Sequence, residues 1–269
     1  EFRRVLFRSN RGAIGVDGGH GSGWRDICPV CILRWFIRNA LWDWWVRMGQ
    51  HSLNQAKTAN LSLGDQVLDL LSETRSALLV VDMQEDFCAA DGYVSELGLD
   101  TTPCRKIIPE LQELVEVARD GKIPVLWAVA NYDEALIPPS MLRRKKQSGV
   151  ARTCCVPGTK GFEPFGVIPS DDELRFIKHS YSLFTNPDFE KHLRHENIET
   201  LVFSGVQTNV CIEATIREAF NHGFHVIVAE DCVASHTLAL HEATLTNVRA
   251  LIGLVASSAE LTKAWQAKK

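Results

Sequence analysis

ALLVVDMQEDF, residues 77–87, opens on five apolar side chains in a row and ends that run on an acid, Asp82. Five uninterrupted apolar residues are too few for a helix and fit a strand buried on both faces. Apolar-rich runs, some of them interrupted, recur along the chain at 123–129 (IPVLWAV), 173–177 (ELRFI), 200–206 (TLVFSGV), 224–229 (FHVIVA) and 250–255 (ALIGLV). Between these runs the periodicity changes to that of helices. Thr102-Pro103 supplies a cap and a first-turn proline, and apolar positions 107, 108, 111, 114, 115 and 118 form one stripe that stops at Gly121. Further helical patterns cover about 187–196, 209–221, 237–249 and 258–267. Strands alternating with crossover helices predict an α/β domain of three layers, α/β/α, around a doubly wound, mainly parallel sheet of six strands. Residues 131–170, rich in Pro and Gly, read as a long excursion after the second strand, the kind of segment that serves as a lid or an oligomer contact.

Of 269 residues, 45% are hydrophobic and 23% charged, which excludes disorder and fibrous classes. No stretch approaches the ~20 apolar residues of a membrane span, and eight cysteines are too sparse for a disulfide scaffold. A cytoplasmic protein without membrane attachment is the expectation.

Residues 1–47 differ from the rest. They hold five of the seven Trp and eight Arg against four acids, a net of +4, which leaves 48–269 with 21 basic and 29 acidic side chains, a net of −8. A nucleic-acid partner is therefore not expected. The opening EFRRVLFRS is also the translation of a common sequencing-adapter string, and the first Met is Met48. Residues 1–47 are accordingly expected to be a non-native leader, and 48–269 a single domain. Cys28-Pro-Val-Cys31 lacks a second pair at ligand spacing, and the charges of the Trp-rich run 35–46 do not segregate to one face, so neither is read as a site.

In an open parallel sheet, ligands bind beyond the carboxyl ends of the strands. Asp82 closes the first strand, Lys178 the third, and Cys211 lies five residues past the fourth, in the first turn of the next helix. Singly, each has a plain explanation: a loop-capping carboxylate, a solvated lysine, a small buried thiol. Together they supply what a nucleophilic thiol needs, a base for its proton and positive potential for its anion. The helix N-terminus and Lys178 are expected to favour the thiolate.

Strand-Asp-x-Gln, strand-Lys and GVQTNVC (205–211) at a helix start resemble the isochorismatase-like cysteine hydrolases over roughly 74–262. DFCAADGYVSELGLD (86–100) and the segment 178–220 are most similar to the ureidoacrylate and biuret amidohydrolase branch. The resemblance implies strand order 3-2-1-4-5-6, a cis peptide between Val206 and Gln207, and an oxyanion hole of the Gln207 and Cys211 N–H groups. It also implies a triad of Asp82 (acid and base), Lys178 (electrostatic partner) and Cys211 (nucleophile), with Phe87, Tyr181 and Gln207 as pocket walls. The activity implied is hydrolysis of a small ureide or carboxamide, with ammonia released through a thioester-type intermediate. The partner would be a small-molecule substrate, and the assembly a dimer or tetramer.

Nicotinamidase-like relatives carry an Asp-x-His plus His set after strand two, where this chain has Asn131-Tyr132-Asp133 and no His between 52 and 178. No metal and no cofactor is therefore expected. His192, His195, His236 and His241 lack carboxylates at ligand spacing and read as surface or capping residues. Arg143-Arg144-Lys145-Lys146 reads as a solvated loop face, or as a guide for an acidic substrate, and Cys154-Cys155 as loop packing or a redox device. The rival readings are a vinyl-ether hydrolase of the isochorismatase type, which does not need the thiol, and a binding module without activity.

Overall fold

The computed structural model describes residues 61–268. The leader 1–47, Met48, the Cys28–Cys31 pair and the Trp-rich run lie outside the described residues.

Six strands, β1 (Ser76–Val81), β2 (Val125–Ala130), β3 (Arg175–Lys178), β4 (Thr200–Val206), β5 (His225–Ala234) and β6 (Leu254–Ala256), form one sheet in the order β3-β2-β1-β4-β5-β6. Every pairing is parallel. Seven helices of eight residues or more accompany them among the described residues: α1 (Leu63–Glu73), α2 (Ile108–Asp120), α3 (Pro139–Ser148), α4 (Pro187–His195), α5 (Glu213–Asn221), α6 (Leu238–Leu251) and α7 (Ser258–Ala267).

Strand alternation divides the core into two layers. Leu78 and Val80 pack with Leu71 of α1, Leu111 and Leu114 of α2 and Trp265 of α7. Ala77, Leu79 and Val81 pack on the other face with Phe189 and Leu193 of α4, Ile216 of α5 and Leu245 and Val248 of α6. Both faces being covered, β1 is buried at all six positions, which is why its sequence is a continuous apolar run. The three-layer architecture and strand order expected from the sequence are thus those observed.

The boundary between α6 and β6 differs from the expected one. Residues 250–255 read as a strand, yet α6 continues through Leu251, whose side chain is 71% exposed, and β6 starts only at Leu254. A short apolar run does not separate a helix end from a strand. The excursion 131–170 contains α3, and Arg143-Arg144-Lys145-Lys146 lies on that helix, not on a loop. Arg143, Arg144 and Lys146 are exposed, while Lys145 is half-buried and pairs with Glu134. The chain then returns to the end of β1: Phe165 N–H donates to Met83 O at 2.8 Å and Glu85 N–H to Glu163 O at 2.9 Å. Buried Asp86 staples this return. It accepts from Arg152 Nη1 at 2.5 Å, Cys155 N–H at 2.6 Å and Tyr93 N–H at 3.2 Å. A Cβ on Gly161 would meet its carboxylate at 2.2 Å, so only glycine lets the return pass there.

Candidate active site

The parallel register sets the site. Val81 stands opposite Gly205 and Ala128, and Ala130 opposite Lys178, so β1, β3 and β4 deliver their carboxyl-end residues to one place. Gly205 makes this approach possible: its φ is +97°, and a Cβ there would lie 2.1 Å from Val81 O. Gln84 then ties β1 to β2. Its Oε1 accepts from Ala130 N–H at 2.8 Å and its Nε2 donates to Ala130 O at 3.1 Å and Phe162 O at 3.0 Å. The glutamine of the Asp-x-Gln motif therefore supports the strand ends, away from the reacting groups.

Asp82, Lys178 and Cys211 come together, with 1%, 1% and 3% of their surfaces exposed. Lys178 Nζ is 2.8 Å from Asp82 Oδ2 and 3.3 Å from Cys211 Sγ. The Asp82 contact is an ion pair, and its Oδ1 has no hydrogen-bond partner. Asp82 itself has φ +51°, a left-handed conformation that turns the chain sharply out of β1.

Burial raises the Asp82 carboxyl above its ordinary pKa, against the pull of the Lys178 charge. For Lys178, burial disfavours the ammonium, but Asp82 and then Cys211 outweigh it and hold the pKa above the usual value. Cys211 is pushed up to about 12, by burial first and by the Asp82 charge second, against Lys178 and a hydrogen bond from Tyr132. Lys178 favours the thiolate, as expected, while burial and the Asp82 charge oppose it. With Asp82 ionised, losing the thiol proton to solvent would leave a net negative charge in a buried site. Passing it to Asp82 keeps the site neutral.

Cys211 sits in a π-helical turn, Thr208–Ile212, that leads into α5, in place of the plain helical first turn expected. The Val206–Gln207 peptide is cis, as the resemblance implied. The Gln207 side chain is anchored from both ends of its amide: its Nε2 donates to Cys104 Sγ at 3.6 Å and its Oε1 accepts from His236 N–H at 3.2 Å. Phe87 is buried, edge-on to Tyr132 with ring centroids 6.1 Å apart. Tyr181 keeps 37% of its surface exposed.

Tyr132 was missed as a functional residue. Its hydroxyl accepts from Lys178 Nζ at 2.9 Å and lies 3.5 Å from Cys211 Sγ. Position could have found it, since it stands two residues past Ala130, the last residue of β2, just as Asp82 and Lys178 stand at strand ends.

His241 Nδ1 meets Thr208 Oγ1 at 3.0 Å and His236 Nδ1 meets Asp100 O at 3.1 Å, which are fold-supporting contacts. Among the described residues, one group of three potential metal ligands gathers, Asp86, Cys154 and Cys155. Its carboxylate is already committed to Arg152 and two backbone N–H groups. The neighbouring thiols touch each other, Sγ to Sγ 3.4 Å.

Comparison with known proteins places the fold and the family. The ureidoacrylate amidohydrolase RutB of Methylobacterium radiotolerans is 29% identical over 212 residues, covering 72% of this chain and 81% of that protein. The ureidoacrylate amidohydrolase RutB of Acinetobacter baylyi is 25% identical over 210 residues, covering 73% and 86%. A crystal structure of a cysteine hydrolase from Pseudomonas syringae shares the fold, with a TM-score of 0.65 at 23% identity over 72% of this chain and 94% of that one. Nicotinamidase PncA from Bacillus subtilis superposes with a TM-score of 0.58 at 26% identity, covering 68% and 99%. The isochorismatase domain model matches residues 76–260, the span from the first residue of β1 into α7, and the chain belongs to that family.

Proposed function

We propose that this chain is a cysteine amidohydrolase that cleaves a C–N bond of a small ureide or carboxamide and releases ammonia. The observation that carries this reading is Lys178 Nζ within 3.3 Å of both Asp82 Oδ2 and Cys211 Sγ in a buried site. The likeness to the two ureidoacrylate amidohydrolases supports the substrate class.

Asp82 takes the thiol proton as Sγ attacks the carbonyl carbon, and Lys178 offsets the charge on sulfur and carboxylate. The N–H groups of Gln207 and Cys211 hold the oxyanion, each worth about 3 to 4 kcal/mol in the transition state. Asp82 then gives its proton to the leaving nitrogen, the C–N bond breaks and ammonia departs. Water, deprotonated by Asp82, attacks the remaining thioester, and the thiol is restored when the C–S bond breaks. A planar carbonyl presents the oxyanion such a hole requires, whereas an enol ether is hydrolysed by protonation at carbon and never does. That difference ranks amide and ureide hydrolysis above the vinyl-ether reaction.

A panel of biuret, ureidoacrylate-like acids, N-carbamoyl amino acids and simple carboxamides, assayed for ammonia beside isochorismate assayed for pyruvate, tests the ranking. Ammonia from at least one ureide or amide is expected. Pyruvate release alone would reverse the assignment.

A further inference from the structure

Tyr132 is the part of the site that the three-residue mechanism leaves unused. Its ring is buried, edge-on against Phe87, and the Lys178 ammonium lies 5.1 Å from its centroid, so the ring is held on both sides. The phenol is protonated at any working pH. Burial first, then the charges of Cys211 and Asp82, hold its pKa well above the usual value.

Proton counting shows what its hydroxyl can do. Lys178 carries three N–H bonds and has four acceptors in reach: Asp82 Oδ2 at 2.8 Å, Tyr132 Oη at 2.9 Å, Ser180 O at 3.2 Å and Cys211 Sγ at 3.3 Å. An ammonium only donates, so Tyr132 oxygen accepts from it and the phenol proton must point elsewhere. Two acceptors are offered to it, Ser180 O at 3.4 Å and Cys211 Sγ at 3.5 Å. Both are also within reach of Lys178. One lysine proton and the tyrosine proton are therefore shared between one carbonyl and one sulfur, and either donor can serve either acceptor.

We propose that Tyr132 is a fourth catalytic residue: its hydroxyl donates to the Cys211 sulfur as the thiolate forms and rests on the Ser180 carbonyl when the sulfur is uncharged. The inference rests on the reading of Cys211 as nucleophile. In the step, the thiol S–H bond breaks and its proton goes to Asp82. Tyr132 keeps its own proton and only changes acceptor. Once Asp82 is neutral it is a weaker acceptor for Lys178, and the sulfur anion then receives two donors in place of one. Burial disfavours the thiolate, and the second donor adds to the Lys178 charge in stabilising it.

Peptide-resolved alkylation of Cys211 by iodoacetamide tests this across pH, in the wild-type chain and in Tyr132→Phe, which removes only the hydroxyl and keeps the ring on Phe87. The groups facing the sulfur are Asp82, Lys178 and Tyr132, and Cys154 also faces the phenol. Only the hydroxyl differs between the two proteins. Alkylation of Tyr132→Phe is expected to slow about tenfold at neutral pH and across the plateau above the Asp82 limb, the scale of one hydrogen bond to an anion. Equal or faster labelling in the variant would overturn the proposal, since the ring would then act only as a cover. Loss of the folded state in Tyr132→Phe would overturn it too, by assigning the hydroxyl to stability. If wild-type Cys211 were never labelled while other cysteines were, the nucleophile reading itself would fall, a result distinct from equal labelling.

Discussion

Asp82 and Lys178 form a buried ion pair, Oδ2 to Nζ 2.8 Å, although they end β1 and β3, strands that are separated in the sheet by β2. The pair bridges over the end of β2 and joins the sheet to the site. Removing one partner leaves an uncompensated charge, which costs about 3 to 5 kcal/mol in buried pairs. In Lys178→Met the burial that raises Asp82 is no longer opposed, so its folded pKa climbs further above the unfolded value of 3.8. The variant is expected to match the wild type most closely in acid and to lose stability as pH rises through the new Asp82 pKa. Turnover should fall at least about 100-fold. Melting curves from acid to neutral pH check this. A pH-independent difference in melting temperature would contradict the coupling.

Cys211 is 3% exposed, and its neighbours in the core, Ile212 and Ile216, carry the packing of that layer. Cys211→Ala removes one sulfur and is expected to shift stability by about 1 kcal/mol. Turnover should disappear, because no other thiol among the described residues meets both Lys178 and Tyr132. Ammonia release by a folded Cys211→Ala protein at the wild-type rate would remove Cys211 from the chemistry.

The three positions were legible because each lies at or shortly past the end of an apolar-rich run read as a strand, unbroken in β1 and interrupted in β3 and β4. Once the strands are placed, the rule that parallel sheets bind ligands at their carboxyl ends points to Asp82, Lys178 and Cys211. What was not legible depends on long-range geometry. The partners of the Gln207 side chain, Cys104 and His236, are distant in sequence and only the fold brings them near. The burial that opposes the Cys211 thiolate is of the same kind, since it follows from packing around the sheet and not from the residues beside Cys211.

Gly205 gives a test of the fold's control over the site. Its φ of +97° disfavours any side chain, and a Cβ would stand 2.1 Å from Val81 O, one residue before Asp82. Backbone cannot yield as a flexible side chain does. Gly205→Ala is expected to cost about 3 kcal/mol, the upper range for overpacking, and to displace Asp82 from Cys211. Activity should therefore fall more than the folded fraction does, which parallel turnover and chemical-denaturation measurements would register. Wild-type turnover per folded molecule would show that β1 and β4 need not approach so closely.

The pH dependence of kcat/KM follows from how the three ionisations are displaced. Asp82 must be ionised to accept the thiol proton, and burial raises its pKa above 3.8, so the acid limb belongs to Asp82 and lies above the ordinary carboxylate value. Activity rises with pH through that limb. On the alkaline side, Cys211 titrates at about 12 and Lys178 above its usual 10.5, so neither changes state in the physiological range. The expected profile is one rising limb followed by a plateau that extends to about pH 10, in contrast to the bell shape of two neutral-range groups. The plateau has a physical reason: the proton moves from Cys211 to Asp82 inside a site of constant charge, and bulk pH does not enter that step. Asp82→Asn should abolish the limb along with most of the rate. An alkaline fall beginning near neutrality would mean that a preformed thiolate and ammonium carry the reaction, and the neutral-site mechanism would give way to that one.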